Sequence, residues 1–371
     1  MAGDSKKCCC CQDSAVAAPG REAKETSWID GWVETVAGPV PRVRTALSSA
    51  DRFGAWRVRW GIDRMGYTVE PGLYAAGSPL PESPVFVSAN YKMSFDLLRS
   101  RLSGRDVWIL VLDTAGVNVW CAAGKGTFGT EELLRRINVT GLDKIVTHRK
   151  LVVPQLGATG VSAHKIKKES GFRVVYGPVR VADLPAFLDA GMKASPAMRE
   201  VDFQLRDRLV LTPVELIASG RYALPAAAAL ALLSGLGRGG YSLSRAFSDG
   251  PAAAAILLGA WIVGAVVIPV LLPWLPGRAF SVKGIWAGLF YLLAAFWLTA
   301  GFERGWAAQV AWLFIVPSVT SYLGMNFTGS STFTSLSGVL KEMRLAIPLQ
   351  LFCAIVGLAF WITALFLSDG G

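Results

Sequence analysis

The feature that most constrains this sequence is a series of five apolar stretches in its C-terminal part. They cover roughly residues 222–237, 252–275, 284–302, 306–323 and 345–367. Each is close to the about 20 residues that an α-helix needs to cross the hydrocarbon layer of a bilayer. Of the 37 Lys and Arg and the 27 Asp and Glu, only 8 and 4 follow residue 220. The sequence therefore predicts five transmembrane helices after a soluble part and excludes a fully soluble enzyme.

The basic residues between the stretches predict an orientation, because cytosolic loops carry an excess of Lys and Arg. With the soluble part in the cytosol, the inner loops hold Arg278, Lys283, Lys341 and Arg344, and the outer loops hold Arg238, Arg245 and Arg304. We expect a multi-pass protein of the cytoplasmic membrane with a cytosolic N-terminal domain and its C-terminus outside. The net charge of +10 is spread along the chain, which argues against nucleic-acid binding.

The predicted membrane part allows two interpretations. Its spans contain almost no ionisable residue, which is typical of an anchor rather than of a pump or an ion channel. The segment 325–343, between the fourth and fifth stretches, is rich in Ser and Thr. It is either a polar linker that caps helix ends or a cytosolic surface that closes over the soluble domain.

The soluble part shows alternating strand and helix patterns after a tail, residues 1–50, that we expect to be poorly ordered. Short β-branched runs predict strands at 84–88, 107–113, 144–148 with 151–153, and 172–176, and amphipathic patterns predict helices at 92–102, 130–137, 160–169 and 182–190. This alternation predicts a Rossmann-like, doubly wound α/β domain over residues 51–215, followed by the transmembrane domain over 216–371. A ligand is expected beyond the carboxyl ends of the strands.

Two segments follow predicted strands at that edge, residues 113–134 and 154–165. Both hold small residues that let a backbone approach a ligand closely. Neither contains a GxGxxG motif or a P-loop, so a nucleotide site has weak support.

The cysteines do not form a disulfide or cluster-binding pattern. Cys8, Cys9, Cys10 and Cys11 are consecutive, and the remaining two are Cys121 and Cys353. The run of four is either a feature of the tail or a site for Hg(II), since soft thiolates bind soft metals. Cys121 is either an inert packing residue or a reactive thiol, and Cys–His catalysis has only His148 and His164 to draw on.

The string NVWCAAGKGTFGT, residues 118–130, resembles the cap-helix motif of the corrinoid protein of the microbial mercury-methylation pair. Residues 89–96, 152–161 and 176–188 and the five-helix tail resemble the same family, so that the resemblance covers about residues 84–367. The soluble part also resembles the corrinoid domain of the corrinoid iron–sulfur protein of the acetyl-CoA pathway. It departs from that protein in having no spaced cysteines for a cluster.

The resemblance implies a corrinoid (cobalamin) cofactor with the Cys121 thiolate as the lower cobalt ligand. Neither His148 nor His164 lies in the DxHxxG motif that supplies a histidine ligand in the common soluble corrinoid carriers. The residues that it places at the corrin are Asn90, Thr114, Asn118, Val119, Trp120, Cys121, Ala122, Gly124, Lys125, Gln155, Leu156, Gly157, Ala158, Gly160, Tyr176 and Gly177. For Asn118 and Trp120 the alternative is ordinary packing, and for Lys125 it is a solvated side chain.

The implied function is a methyltransferase that passes a methyl group from methyl-cobalt(III) to inorganic Hg(II). A thiolate ligand donates electron density and favours departure of the methyl group as an anion equivalent or a radical. Implied partners are a small ferredoxin-like iron–sulfur protein as electron donor and a methyl donor protein or a methyltetrahydrofolate-linked methyltransferase. Two alternatives stay open: a membrane-anchored corrinoid methyl carrier for another acceptor in one-carbon metabolism, and a membrane protein without enzymatic activity.

Overall fold

The computed structural model describes residues 27–298, 305–327 and 336–367. They divide into two compact units. The sheet unit comprises the chain up to Asp51 and Thr68–Met198, and the helical unit comprises Arg52–Tyr67 and the chain from Arg199 onward. The units divide after Met198 and not between residues 215 and 216, where the sequence predicts the boundary.

The sheet unit is built on one sheet of seven strands. The strands are β1 (Ile29–Val33), β2 (Val40–Val43), β3 (Gly72–Ala76), β4 (Val85–Ala89), β5 (Val107–Leu112), β6 (Lys150–Val153) and β7 (Arg173–Tyr176). Their order across the sheet is β1-β2-β3-β5-β4-β6-β7. Strands β4 to β7 run parallel, β2 and β3 are parallel, and β1–β2 and β3–β5 pair antiparallel.

Eight helices lie within or begin in this unit. They are α1 (Ser49–Arg59), which continues into the helical unit, α2 (Lys92–Ser100), α3 (Val119–Lys125), α4 (Thr130–Thr140), α5 (Leu142–Ile145), α6 (Ala163–Ser170), α7 (Leu184–Asp189) and α8 (Pro196–Arg199). Short 3-10 turns occupy Gln155–Gly157 and Val181–Asp183.

Two apolar cores cover the two faces of the sheet. All six residues of β5 are buried, since side chains alternate between the faces and both faces are covered. Trp108, Leu110 and Leu112 pack with residues of α3, α4 and α6 on one face. Val107, Ile109 and Val111 pack with residues of α2 and α7 on the other. The expected α/β sheet domain in the N-terminal part is confirmed.

Two expectations for this unit are wrong. A β-branched run predicts a strand at 144–148, but Leu142–Ile145 forms α5, which starts directly after Gly141 in the left-handed conformation at φ 59°. The strand of this region is β6, at Lys150–Val153. The tail predicted over residues 1–50 does not extend over residues 29–43, since β1 and β2 form one side of the sheet.

The helical unit contains α9 (Leu205–Leu233), α10 (Leu243–Ile262), α11 (Ile268–Leu271), α12 (Phe280–Leu298), α13 (Gly305–Asn326) and α14 (Leu336–Leu367). A π-helical turn, Val263–Val267, joins α10 to α11. Counting α10 and α11 as one, five helices among the described residues are long and apolar enough to cross a membrane. Small residues let α12 and α13 pack closely: a Cβ built on Gly284 would lie 2.6 Å from the Thr320 carbonyl oxygen.

Two boundaries of the predicted spans differ from the structure. Residues 222–233 of the first stretch form only the C-terminal part of α9, which begins at Leu205 and continues through Pro213 and Pro225, and residues 234–237 follow the end of the helix. The fifth stretch begins inside α14, so residues 336–343 of the Ser/Thr-rich segment are helical. Residues 328–335 of that segment and the cysteine run at 8–11 lie outside the described residues.

Candidate cofactor site at the carboxyl edge of the sheet

The parallel strands end together at one edge of the sheet. Strand β4 lies between β5 and β6, so the chain order reverses beside β4. In open α/β sheets such a reversal leaves a crevice outside the carboxyl ends of the strands, where ligands bind. The predicted site residues follow these four strands: Asn90 after β4, the loop 113–118 with α3 after β5, Gln155 to Gly160 after β6, and Gly177 after β7.

Asn90 organises the loop that follows β5. Its Oδ1 accepts hydrogen bonds from the backbone amides of Thr114 and Gly116, both at 3.1 Å. The Thr114 hydroxyl lies 2.8 Å from the same oxygen and 2.7 Å from the Val117 carbonyl. Asn90 and Thr114 are both buried. Their side chains therefore hold the backbone of the loop, and a contact of either with a cofactor stays a prediction.

The loop turns at two consecutive left-handed residues. Ala115 has φ 53° and Gly116 has φ 71°. An alanine in this region is strained, because its Cβ crowds the following carbonyl. The turn is held from both sides: the Ala115 amide donates to Asp113 Oδ1 at 3.1 Å, and the Asp113 amide donates to Glu132 Oε1 at 2.9 Å.

Helix α3 begins immediately after this turn and presents Cys121. Asn118 caps it, its Oδ1 accepting from the Cys121 amide at 2.9 Å. Ala122 and Ala123 are buried against the sheet. Trp120 and Cys121 are exposed instead, and a Cβ built on Gly124 or Gly126 would meet no atom within 4 Å. The helix therefore has a flat outward face, defined by Trp120, Cys121 and Gly124, with the thiol on it.

Phe128 joins α3 to the loop after β6. It is completely buried. A Cβ on Gly157 would lie 2.5 Å from the Phe128 ring, and a Cβ on Gly160 would lie 2.1 Å from the Phe128 carbonyl oxygen. Because neither glycine has a side chain, Phe128, which follows α3, can pack against the loop after β6. Backbone and side-chain bonds continue the contact, the Ser162 amide donating to Thr130 Oγ1 at 2.8 Å.

The carboxyl end of β7, the last strand of the sheet, lies at the same edge. The Tyr176 hydroxyl donates to the Val161 carbonyl at 3.0 Å, and burial raises the pKa of this phenol. Gly177 is buried, with a built Cβ 3.2 Å from Val152 Cγ1. Gln155, Leu156 and Ala158 are half-buried on the loop after β6, and Lys125 is exposed at the end of α3.

The predicted site residues thus differ in their exposure. The outward-facing ones are Trp120, Cys121, Gly124 and Lys125, and the buried ones are Asn90, Thr114, Ala122, Gly157 and Gly177. His148 precedes β6 at the opposite edge, where its Nε2 lies 2.9 Å from the Ser83 carbonyl oxygen. Sequence reasoning missed Phe128 and Glu132. The local signal for Phe128 is an aromatic residue between two glycines, Gly126 and Gly129, which indicates a buried ring in a tight turn.

A buried charge cluster, Asp51, Lys92, Asp96 and Arg99, lies at the start of α2. Lys92 Nζ is 2.6 Å from Asp51 and 2.7 Å from Asp96, and Arg99 is 2.8 Å from each carboxylate. Arg99 is fully buried. Burial disfavours the ionised Asp51, but hydrogen bonds from Lys92 and Ser48 outweigh it, so the pKa of Asp51 is lowered. The cluster consists of two positively and two negatively charged side chains. Cys121 is not a member of it.

Comparison with known proteins places this site in a recognised segment. Residues 62–188 match the family model of the CO dehydrogenase/acetyl-CoA synthase delta subunit. The acetyl-CoA decarbonylase/synthase complex subunit gamma of Archaeoglobus fulgidus is 33% identical over 123 residues, which are 33% of this chain and 26% of that subunit. Subunit gamma 2 of Methanosarcina thermophila is 28% identical over 199 residues, covering 48% of this chain and 42% of that subunit.

These similarities have a defined extent. The chain spans about a quarter of the length of the Archaeoglobus subunit that it matches. The family match includes β4 to β7, the cap of α3 and Cys121, and ends before α9. The family match therefore concerns the candidate site and does not include the five long helices.

Proposed function

We propose that the sheet unit binds a corrinoid and that the protein is a corrinoid-dependent methyl carrier of one-carbon metabolism. The observation that carries this proposal is Cys121 on the open face of α3, within a segment that resembles corrinoid-protein cap helices. The similarity to subunits of acetyl-CoA decarbonylase/synthase supports the same class of chemistry. It favours a carrier in an acetyl-CoA-type pathway over the mercury methylation expected from the sequence.

The residues at the carboxyl edge fit such a cofactor. A corrinoid supplies a cobalt ion that can carry a methyl group. The chain supplies a soft thiol at Cys121, free space above Gly124 and Gly126, and the Trp120 ring beside them. Binding of a metal requires the thiolate and itself promotes loss of the thiol proton.

The other residues of the edge position that thiol. Asn90 and the turn at Ala115 and Gly116 fix the start of α3, and Asn118 holds the Cys121 amide. Phe128, which follows α3 and packs against Gly157 and Gly160, keeps α3 next to the loop after β6. In this arrangement Gln155, Leu156, Ala158 and Tyr176 flank the cofactor.

A second candidate is transfer of the methyl group to Hg(II). A thiolate donor and the sequence motif around Cys121 favour it, because a thiolate ligand promotes departure of the methyl group toward a soft electrophile. Each such turnover needs two electrons, which a ferredoxin-like iron–sulfur partner would deliver. The run of Cys8 to Cys11 would then be a further thiol ligand set for Hg(II).

We also propose that the helical unit anchors the protein in the cytoplasmic membrane with the sheet unit in the cytosol. The length and apolar composition of the five helices support the anchor. The distribution of basic residues supports the orientation, with Lys341 and Arg344 on the inner side and Arg304 on the outer side.

The test is the spectrum and the cobalt content of the full chain, purified in detergent and loaded with methylcobalamin. We expect about one cobalt per chain and a visible spectrum shifted from that of free methylcobalamin. Cys121→Ala should remove the shift and methyl transfer while the sheet unit stays folded, because an exposed side chain contributes little to stability. Cys353→Ala, in α14, is the matched control and should leave both unchanged.

The two acceptors are distinguished by the product. Methylmercury formation from Hg(II) that depends on Cys121 and on a low-potential reductant would establish the second candidate. Methyl transfer to a nucleophilic acceptor with no methylmercury would establish the carrier. Failure of the wild-type chain to retain cobalt would reject both, and an unchanged spectrum in Cys121→Ala would reject the assigned ligand.

A further inference from the structure

The segment Arg52–Tyr67 exposes apolar side chains although it lies far before the long helices in the sequence. Phe53 is 60% exposed, Trp56 50% and Met65 60%. The Phe53 and Trp56 rings stack with centroids 5.8 Å apart, and Trp56 and Trp60 lie 6.1 Å apart. The result is a row of aromatic side chains along one side of α1 that continues into the following turns.

The same segment is strongly basic. It contains Arg52, Arg57, Arg59 and Arg64 and a single acidic residue, Asp63. Arg52 and Arg57 are exposed next to the aromatic row. Exposed aromatic rings bordered by arginines are typical of segments that lie in the headgroup region of a membrane.

The segment lies beside the first long helix. It belongs to the helical unit, and a Cβ built on Gly61 would lie 3.6 Å from Ile217 of α9. Charged residues of α9 occur up to Arg221, and none occurs over the rest of this helix. Ile217 therefore lies near the point where α9 becomes apolar, and Gly61 is held at that level.

We infer that Arg52–Tyr67 is a membrane-interface anchor that binds anionic phospholipid headgroups. The aromatic row lies at the boundary between headgroups and acyl chains, and the arginines pair with the phosphates. Anionic lipid is favoured because the segment carries excess positive charge and lies next to the entry of a span. The inference rests on the proposed membrane location of the helical unit and is independent of the corrinoid.

The experiment uses the full chain in nanodiscs, with the native cysteines replaced by serine and one environment-sensitive fluorophore at a new cysteine. Trp56→Cys and Met65→Cys report on the segment. Val36→Cys, 81% exposed in the sheet unit, is the aqueous control, and Ile262→Cys, 47% exposed on α10, is the control within a span. Lipids brominated near the carbonyl or near the end of the acyl chain serve as quenchers.

We expect shallow-brominated lipid to quench the labels at positions 56 and 65, and deep-brominated lipid to quench the label at 262. The label at 36 should be quenched by neither. Raising the phosphatidylglycerol content should shift the emission at 56 to shorter wavelength. Combined Arg52→Gln, Arg57→Gln and Arg64→Gln should abolish that dependence, since each arginine near an anionic surface is worth about fivefold in binding.

Water-like emission without quenching at 56 and 65, while 262 is quenched, would overturn the inference and leave the face to a protein partner. Quenching of 56 and 65 that does not change with phosphatidylglycerol would overturn the role of the arginines. Absence of quenching at 262 would overturn the membrane location itself. None of these outcomes depends on cobalt binding, so failure of the corrinoid proposal is seen separately.

Discussion

The loop around Asn90 and the buried charge cluster on α2 both place polar groups inside the sheet unit, but with different chemistry. Asn90 and Thr114 are neutral and use their hydrogen bonds on the backbone that precedes α3. Asp51, Lys92, Asp96 and Arg99 are charged and satisfy one another. The first arrangement orients an exposed thiol, and the second joins Asp51 to Lys92 and Arg99 of α2. The two arrangements share no side chain and can be perturbed by separate substitutions.

The largest effect is expected from breaking the charge cluster. Arg99→Met removes one of the two cations that face the two buried carboxylates, and loss of one partner from a buried ion pair costs about 3–5 kcal/mol. Hydrogen exchange of the β5 amides in the full chain should show this loss in the free energy of opening. Arg105→Met, which breaks the exposed ion pair with Asp189 at 2.5 Å, is the control and should cost less than about 1 kcal/mol. Equal losses would erase the distinction between the two arrangements.

Asn90→Ala tests the neutral arrangement. It leaves the buried amides of Thr114 and Gly116 without their acceptor, at a cost of about 1–3 kcal/mol. Exchange should accelerate most over residues 113–118, and cobalt retention should fall with it. Asn118→Ala removes only the cap of α3, about 1 kcal/mol, and should accelerate exchange in α3 alone. Normal exchange over 113–118 in Asn90→Ala would show that the turn does not need Asn90.

Acid should weaken the charge cluster, whereas the side chains of Asn90 and Thr114 carry no titratable group. The folded protein lowers the pKa of Asp51, so the stabilisation is present above the unfolded pKa of about 3.9 and is lost as pH falls below it. Protection of the β4 and β5 amides should therefore decrease below about pH 4. In Asp51→Asn the stability is lower throughout, and this part of the decrease should be absent. A wild-type profile that stays flat to pH 3 would contradict the pKa shift.

The smallest effect is expected at the turn itself. Ala115→Gly relieves an alanine at φ 53° and should stabilise the sheet unit by up to about 1 kcal/mol. Ala123→Gly, in buried and regular α3, provides the opposite sign, a loss of about 1 kcal/mol. Thermal unfolding of the two variants side by side checks both. A destabilised Ala115→Gly would mean that the alanine methyl group makes a favourable contact that outweighs the backbone strain.

The central strands and their helices could be predicted because β4 to β7 are short apolar runs between turn residues. Strands β2 and β3 could not be predicted in this way. Strand β2 contains Pro41, and β3 has the sequence GLYAA, so neither shows the β-branched pattern that indicates a strand. Strand β3 is held by pairing with β2 and β5, which are distant from it in the sequence, and composition does not reveal such pairing. At residues 144–148 the β-branched pattern predicts a strand, but the turn at Gly141 starts the short helix α5 instead.

The candidate site could be predicted in part. Small residues indicated the loops after β5 and β6, and the resemblance of residues 118–130 to a cap-helix motif indicated the thiol at Cys121. It did not indicate that Gly157 and Gly160 accommodate Phe128, since that contact joins two loops through the fold. The charge cluster has a local signal in Lys92, Asp96 and Arg99 at helical spacing, but Asp51 comes from a distant helix.

The helical unit is discontinuous in the chain, and this has a consequence for biosynthesis. Arg52–Tyr67 leaves the ribosome before β3 to β7 have been made, whereas its neighbour α9 follows them. For that interval the nascent chain carries an aromatic, basic segment whose packing partner does not yet exist. The same holds for a fragment ending at Met198, which would contain a complete sheet but an uncovered apolar surface. A clean soluble fragment requires removal of residues 52–67 together with the long helices.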